Sequence, residues 1–383
     1  KSDYVKMYEY ILPKVLKELD PQTFYWPASP SSGGGFDDPN GFDRGDVHYW
    51  DVWHGNVPFT DYRRYYFRYL SEFGFQSFPE MKTIHSFATP EDYDMESPVM
   101  NAHQKSSIGN FLIKKTMGLY YPVPEKFEDL VYLGLVLQGH GMRQGMEAHR
   151  RNRPYCMGSL IWQLNDSWPV VSWSAIDYFG NWKALHYQSR RAFAPVLVDA
   201  IREGDKLRYY VMSDVLKTKD VVLQMELMNF KGKVLRRHQV EGKLPVNSSV
   251  VFYEEDWNQA FAACDTTTSF IHMTLKDRHG REILSDEVYY PALPKSQHLP
   301  QAKISCKMKK KNGAYELTLK SDQLARDVFI EIPVQGVRFS DNFFDLLPGV
   351  SRKILVTSGD GCALEDLTVN IRQLGDICSI EHE

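Results

Sequence analysis

The sequence predicts a multidomain protein: the C-terminal half of a (β/α)8 TIM barrel over residues 1–192, then two Ig-like β-sandwiches over 193–297 and 298–383. Three observations predict it. Up to about Ala192, stretches of helical periodicity are interspersed with a few strands that finish in polar and aromatic side chains. Beyond that point the texture changes to short alternating strands at regular spacing, joined by polar turns such as Arg278-His279-Gly280. The alternating strands also fall into two sets, separated by residues 291–300, whose three prolines mark a linker.

The first element is a helix. Tyr4, Tyr8, Ile11, Leu12, Val15, Leu16 and Leu19 recur at three- and four-residue spacing, with Ser2 or Asp3 as the cap and Asp20-Pro21 as the stop. Residues 23–29 predict a short aromatic strand, followed by the flexible Ser31-Ser32-Gly33-Gly34-Gly35 loop. A second strand is expected over 47–53. Residues 62–69 then predict a helix or turn that feeds the strand carrying Glu72. A long connection to about Pro124 contains the capped start Thr89-Pro90-Glu91-Asp92 and a Ser97-Pro98 turn. Phe127, Leu130, Val131, Leu135 and Gln138 mark a long helix reaching roughly His149, which hands over to a strand ending at Trp162. That makes about four strands in a segment that opens on a helix. A complete barrel takes about 250 residues and opens on a strand, so the count predicts half of one.

In the first sandwich, strands are expected at 207–212, 221–228, 234–240, 249–253 and 270–275. In the second they are expected at 302–307, 315–320, 328–332, 352–357 and 367–372.

The formal charge of −4 gives no polycation signal, so a nucleic-acid partner is disfavoured. No run approaches the ~20 apolar residues of a membrane span. Cys156, Cys264, Cys306, Cys362 and Cys378 lack the spacing of a zinc site, and no metal or other cofactor is expected. Asn247-Ser248-Ser249 is a glycosylation sequon in a protein that passes through a secretory pathway.

Chemistry concentrates in the first 192 residues. Ser71-Glu72-Phe73-Gly74-Phe75-Gln76-Ser77 places one carboxylate where an apolar strand breaks into a loop, and such a charge has to be solvated, paired or used. Before it comes Asp46-Val47-His48-Tyr49-Trp50-Asp51-Val52-Trp53-His54, and after it Trp162-Gln163-Leu164-Asn165-Asp166-Ser167-Trp168-Pro169. Strands that all end in such groups fit a barrel whose chemistry sits at the strand C-termini. An acid ringed by Trp, His, Asn and Asp suits a sugar, whose C–H faces stack on aromatic rings while its hydroxyls need donors and acceptors.

These segments, with Phe339-Ser340-Asp341-Asn342-Phe343-Phe344-Asp345-Leu346-Leu347-Pro348-Gly349 in the last domain, resemble the C-terminal part of a β-mannosidase of glycoside hydrolase family 2 over nearly all 383 residues. The resemblance implies that Glu72 is the nucleophile of a retaining exo-glycosidase acting on terminal non-reducing β-D-mannose. By it, Trp162 is the aromatic floor of the sugar subsite. His48, Trp50, His54, Asn165 and Asp166 surround it as hydroxyl partners or orienting groups, while Trp168 and Trp173 are walls. The implied partner is a β-mannoside oligosaccharide or glycoconjugate, and an oligomer is compatible with the reading. The compartment is left open: periplasmic or extracellular for a bacterial source, lysosomal for a eukaryotic one. The family's acid/base Glu follows an Asn, and no Asn-Glu dipeptide occurs in this sequence. Glu80, Glu91 and Glu147 are explained by loop, capping or surface roles. A chain with the nucleophile and without the acid is expected to be a fragment with negligible activity alone. Two alternatives stand beside this reading. One is another family 2 exo-glycosidase (β-glucosaminidase, β-glucuronidase or β-galactosidase), and the other is a non-catalytic carbohydrate-binding protein on a decayed barrel.

Overall fold

A computed structural model describes residues 1–262, 264–311, 313–359 and 368–378. It divides into two compact units, residues 1–75 with 144–162, and residues 76–143 with 163–383.

The first unit is built on a three-stranded parallel sheet in the order β1 (Val47–His48), β2 (Leu70–Phe73), β3 (Ser159–Ile161). Register pairs His48 with Glu72, and Phe73 with Ile161. Parallel pairing brings the three strand C-termini to one edge. Beneath the sheet lies an aromatic core of Phe59, Tyr62, Phe67, Phe73 and Phe75, with Trp53 and Phe75 edge to face at 5.0 Å. The last turns of a 25-residue helix, Phe127–Arg151, enter this core through His149 and Gly145. A Cβ on Gly145 would come within 2.9 Å of Phe73, so only glycine lets that helix approach the strand bearing Glu72.

Three expectations for this unit need correction. The N-terminal helix runs as α-helix Ser2–Val5, π-helix Lys6–Ile11 and α-helix Leu12–Leu19, but no side chain caps its start. Residues 23–29 form no strand, because their polar side chains, Trp26 and Ser29, bond to Asp46 instead of their backbone pairing in a ladder. The strand expected over 47–53 stops at His48, where the chain turns through Trp50: the amides of Trp53 and His54 both return to the Trp50 carbonyl.

The second unit contains two sandwiches. In the first, a sheet ordered β10-β9-β6-β7 faces a sheet ordered β4-β5-β8. The strands are β4 Val196–Glu203, β5 Lys206–Ser213, β6 Asp220–Asn229, β7 Val234–Lys243, β8 Ser248–Asp256, β9 Ser269–Asp277 and β10 Ile283–Tyr289. Its core interleaves Leu223, Met225, Leu227 and Met273 with Val198, Leu207, Tyr209 and Val211. In the second sandwich the orders are β11-β12-β16-β14 and β15-β13-β17. These are β11 Ile304–Lys311, β12 Ala314–Ser321, β13 Ala325–Glu331, β14 Val337–Phe339, β15 Phe344–Leu346, β16 Ser351–Ser358 and β17 Asn370–Arg372. All ten expected sandwich strands are present, while β4, β10, β14 and β15 were not anticipated. Leu367, the first residue of the last expected strand, and Cys362 lie outside the described residues.

The expected long connection also contains a helix, Gly109–Tyr120, that packs Leu112, Ile113, Thr116 and Met117 inward. The Ser97-Pro98 turn is the start of a short helix, Pro98–Ala102, capped by the Ser97 hydroxyl on the Met100 amide at 3.2 Å. A helix at Ala184–Ala192 precedes the first sandwich.

Candidate active site

Glu72 sits third in β2, a strand whose first and last residues, Leu70 and Phe73, are buried. Side chains alternate along a strand, so Leu70 and Phe73 point to opposite faces and both are buried, while Glu72 is left half-buried. Its Oε2 lies 3.3 Å from Trp50 Nε1, which donates to it, and 3.3 Å from His48 Nδ1. The strand register brings His48 opposite Glu72. The turn after β1 delivers Trp50. His54, exposed, packs its ring against Trp50 at 5.4 Å. Trp162 follows β3 directly. Its amide donates to the Phe73 carbonyl at 2.9 Å while its ring is 44% exposed, so a large aromatic face is presented at the same strand edge as Glu72. Sequence reasoning thus named the groups this unit brings to one edge: Glu72, His48, Trp50, His54 and Trp162.

It missed a supporting layer. Asp46 precedes β1, is buried, and accepts from Trp26 Nε1 (2.9 Å), Ser31 N (3.0 Å), Ser29 Oγ (2.6 Å) and Ser71 Oγ (2.5 Å). Ser29 Oγ also lies 3.0 Å from His48 Nε2. The signal was available: a carboxylate immediately before an apolar strand residue faces the same desolvation cost that singled out Glu72.

Asn165 and Asp166 belong to the second unit. Asn165 is exposed and pairs its backbone with Ile176. Asp166 is held inward, its carboxylate accepting from Ser172 Oγ at 2.8 Å, Ser174 Oγ at 2.5 Å and Gln163 Nε2 at 3.2 Å, with Lys105 Nζ at 3.4 Å. Those bonds gather Gln163, Ser172 and Ser174 around one buried carboxylate. Behind it Lys183 is fully buried and donates to the Ser77 and Ser172 carbonyls at 3.1 and 3.4 Å; burial lowers its ammonium to about 8.

Glu80 is buried on Lys82 at 2.9 Å, and its burial raises its carboxyl. Glu91 is exposed beside the Thr89/Asp92 capping box, whereas Glu147, expected in a capping or surface role, is buried in the long helix. Among the described residues no group of three or more His, Cys, Asp or Glu could hold a metal ion, and no helix is long and apolar enough to cross a membrane.

A parallel sheet ending in a paired carboxylate and an open Trp, followed by two sandwiches, defines a glycoside-hydrolase type of architecture, and comparison with known proteins agrees. Residues 205–296 match the family described as a mannosidase Ig/CBM-like domain, and 299–377 match the mannosidase Ig-fold domain. The β-mannosidase of Capra hircus is 28% identical over 90% of this chain and 42% of its own length. The β-mannosidase B of Thermothelomyces thermophilus is 30% identical over 97% of this chain and 46% of its own. A crystal structure of a β-D-mannosidase from Dictyoglomus thermophilum superposes with a TM-score of 0.84 at 31% identity, covering 95% of this chain and 44% of that one. The exo-chitosanase CsxA of Amycolatopsis orientalis, at 17% identity and a TM-score of 0.66 over 83% of this chain and 44% of its own, shares the fold. Over nearly its whole length the chain is thus similar to the C-terminal part of β-mannosidases of glycoside hydrolase family 2, and both sandwiches match mannosidase Ig-type domains. It spans a little under half the length of the curated relatives it matches.

Proposed function

We propose that these residues carry the nucleophile half of a retaining exo-β-mannosidase site, with Glu72 attacking the anomeric carbon of a terminal non-reducing β-D-mannose. The observation that carries this reading is a half-buried carboxylate at a parallel strand end, one oxygen of which accepts from Trp50 Nε1 and lies 3.3 Å from His48 Nδ1. An attacking nucleophile must present one oxygen to the anomeric carbon. The oxygen that Trp50 holds is fixed, and the other is left to form the bond to the sugar. In the reaction, the Glu72 oxygen bonds to the anomeric carbon as the glycosidic C–O bond breaks and the leaving oxygen takes a proton from an acid. Water then reverses the step and releases mannose.

Trp162 supports the role of subsite floor by its exposed ring. His48, Trp50 and His54 are the hydroxyl partners or orienting groups on the nucleophile's side, and Asn165 and Asp166 those on the loop after Trp162. The substrate is a β-mannoside oligosaccharide or glycoconjugate. Residues 1–192 are proposed as the C-terminal half of a (β/α)8 barrel, with sandwich domains at 193–297 and 298–383. Three parallel strands and the helices that lie between the second and third of them in the chain support it.

Retention requires a second carboxyl about 5–5.5 Å from the nucleophile. Glu80 is committed to Lys82 and no Asn-Glu dipeptide occurs, so the acid/base is assigned to residues outside these 383. The test is incubation of the 383-residue chain with a chromogenic aryl β-mannoside. Negligible turnover is expected; turnover abolished by Glu72→Ala would show that the chain supplies its own acid and overturn that part of the reading.

A further inference from the structure

Trp168 and Trp173 are the tryptophans expected to wall a sugar site, and the second unit treats them differently. Trp173 is half-buried, whereas Trp168 is 38% exposed. A single exposed apolar ring is ordinary on a protein surface. Trp168 differs from such a ring in how firmly the structure fixes it.

Phe87 lies parallel to the His103 ring, with centroids 3.9 Å apart and planes 8° apart, and Trp168 packs against the same ring at 5.0 Å and 36°. His103 is held in turn: its Nδ1 donates to the Pro169 carbonyl at 2.6 Å, which ties the ring supporting Trp168 to the residue that follows Trp168. The backbones are joined as well. The Val171 amide donates to the His103 carbonyl at 2.8 Å, and the Lys105 amide donates to the Val171 carbonyl at 3.3 Å. Polar groups border the ring in the chain. Asp166 is buried with Lys105 Nζ 3.4 Å from its Oδ1, and Asn165 and Ser167 on either side of it are exposed.

We propose that Trp168 is a second saccharide platform, additional to Trp162, which takes the C–H face of a sugar ring other than the terminal mannose. Sugars need an apolar face to stack on and polar groups for their hydroxyls, and Lys105, Asn165 and Ser167 can supply the latter. A ring already fixed by His103 and Pro169 has little side-chain freedom left to lose, so even a contact through one face yields affinity. One ring bordered by polar side chains suits a single sugar, whereas a stable protein partner needs a much wider patch. The proposal rests on the reading of a β-mannoside substrate and extends it. The preferred substrate carries at least one further sugar, and a mannose on a small alkyl group leaves Trp168 unused.

The test is an NMR titration of the full 383-residue chain with ¹⁵N-labelled indoles, in which the signals lost in Trp168→Phe and Trp162→Phe assign the two rings. Methyl β-D-mannoside and β-1,4-mannobiose are the probes. The disaccharide is expected to shift the Trp168 signal saturably, and the methyl glycoside to leave it in place. Trp168→Ala is expected to weaken disaccharide binding by about tenfold, and Trp168→Tyr, which keeps an aromatic ring, by less. The titration of the unaltered chain decides the matter if Trp168→Ala fails to fold. A Trp168 signal that mannobiose does not move, or that both sugars move equally, would overturn the proposal. Trp162 reports separately. If its signal stays still with both sugars while Trp168 responds to the disaccharide alone, the mannose site proposed at Glu72 and Trp162 fails and the platform stands.

Discussion

At the scale of single residues, burial and pairing separate ionisable groups that look alike in sequence. His48 and His149 are both histidines beside aromatic runs. His48 stands between two carboxylates, whereas His149 lies fully buried among the rings of Tyr62, Phe67 and Phe73. Burial, aided by Arg151, pushes the His149 imidazole down to about 3, so it folds neutral. Because its folded value lies below its unfolded one, its neutrality costs nothing above about pH 6.5, and stability is lost as pH falls from there toward 3. The expected slope is about 1.4 kcal/mol per pH unit, and His149→Leu should flatten the fall of unfolding free energy between pH 6 and 4 relative to the unaltered chain. Urea unfolding at several pH values checks it. Glu72, His48, Trp50 and Trp162 were legible in the sequence because each is a polar or aromatic residue at a strand end. Asp46 was not singled out, since its partners Trp26 and Ser29 come from a segment expected to be a strand of its own.

At the scale of elements, the periodic and well-capped stretches were legible and the marginal ones were not. The Phe127–Arg151 helix and the inner sandwich strands such as β6 and β9 carry long apolar repeats. The Gly109–Tyr120 helix opens without a side-chain cap and contains Gly118, which dilutes its pattern, and its helicity is secured by burying Leu112, Ile113 and Met117. β4 follows a helix with little turn signal, and β10 mixes buried and exposed residues out of strict alternation. The turn into β1 depends on one glycine. Gly45 has φ +67°, and a Cβ there would lie 1.9 Å from the Ser31 carbonyl oxygen, in the bridge that also seats Asp46. Gly45→Ala is expected to cost about 2 kcal/mol or more in chemical denaturation, whereas Gly180→Ala, also at positive φ but with open space around it, should cost only the smaller conformational strain.

At the scale of the whole molecule, the last domain is tied to the helices of its own unit by a polar hub. Asp327, buried at φ +51°, accepts from His140 at 2.5 Å through its side chain and from Tyr132 at 2.7 Å through its carbonyl. Its amide donates to Asp345 at 3.0 Å. The Asn342 and Phe343 carbonyls in turn accept from Arg191 of the Ala184–Ala192 helix at 2.8 and 3.0 Å, which gives the Phe339–Gly349 motif a structural task. Asp327→Ala keeps the backbone bonds to Tyr132 and Asp345 but removes the buried carboxylate on which His140 rests, and is expected to destabilise the unit by about 3 kcal/mol, measured as a shift of the denaturation midpoint. The tandem sandwiches were legible in the sequence from strand spacing, but this hub was not, because it joins positions nearly two hundred residues apart. The central claim concerns Glu72, and it is tested most directly by a 2-deoxy-2-fluoro-β-mannosyl fluoride, whose fluoride departs without acid assistance. In a preparation that turns over aryl β-mannosides, peptide mass spectrometry should find the fluoromannosyl ester on Glu72; an ester on any other carboxylate would contradict the account.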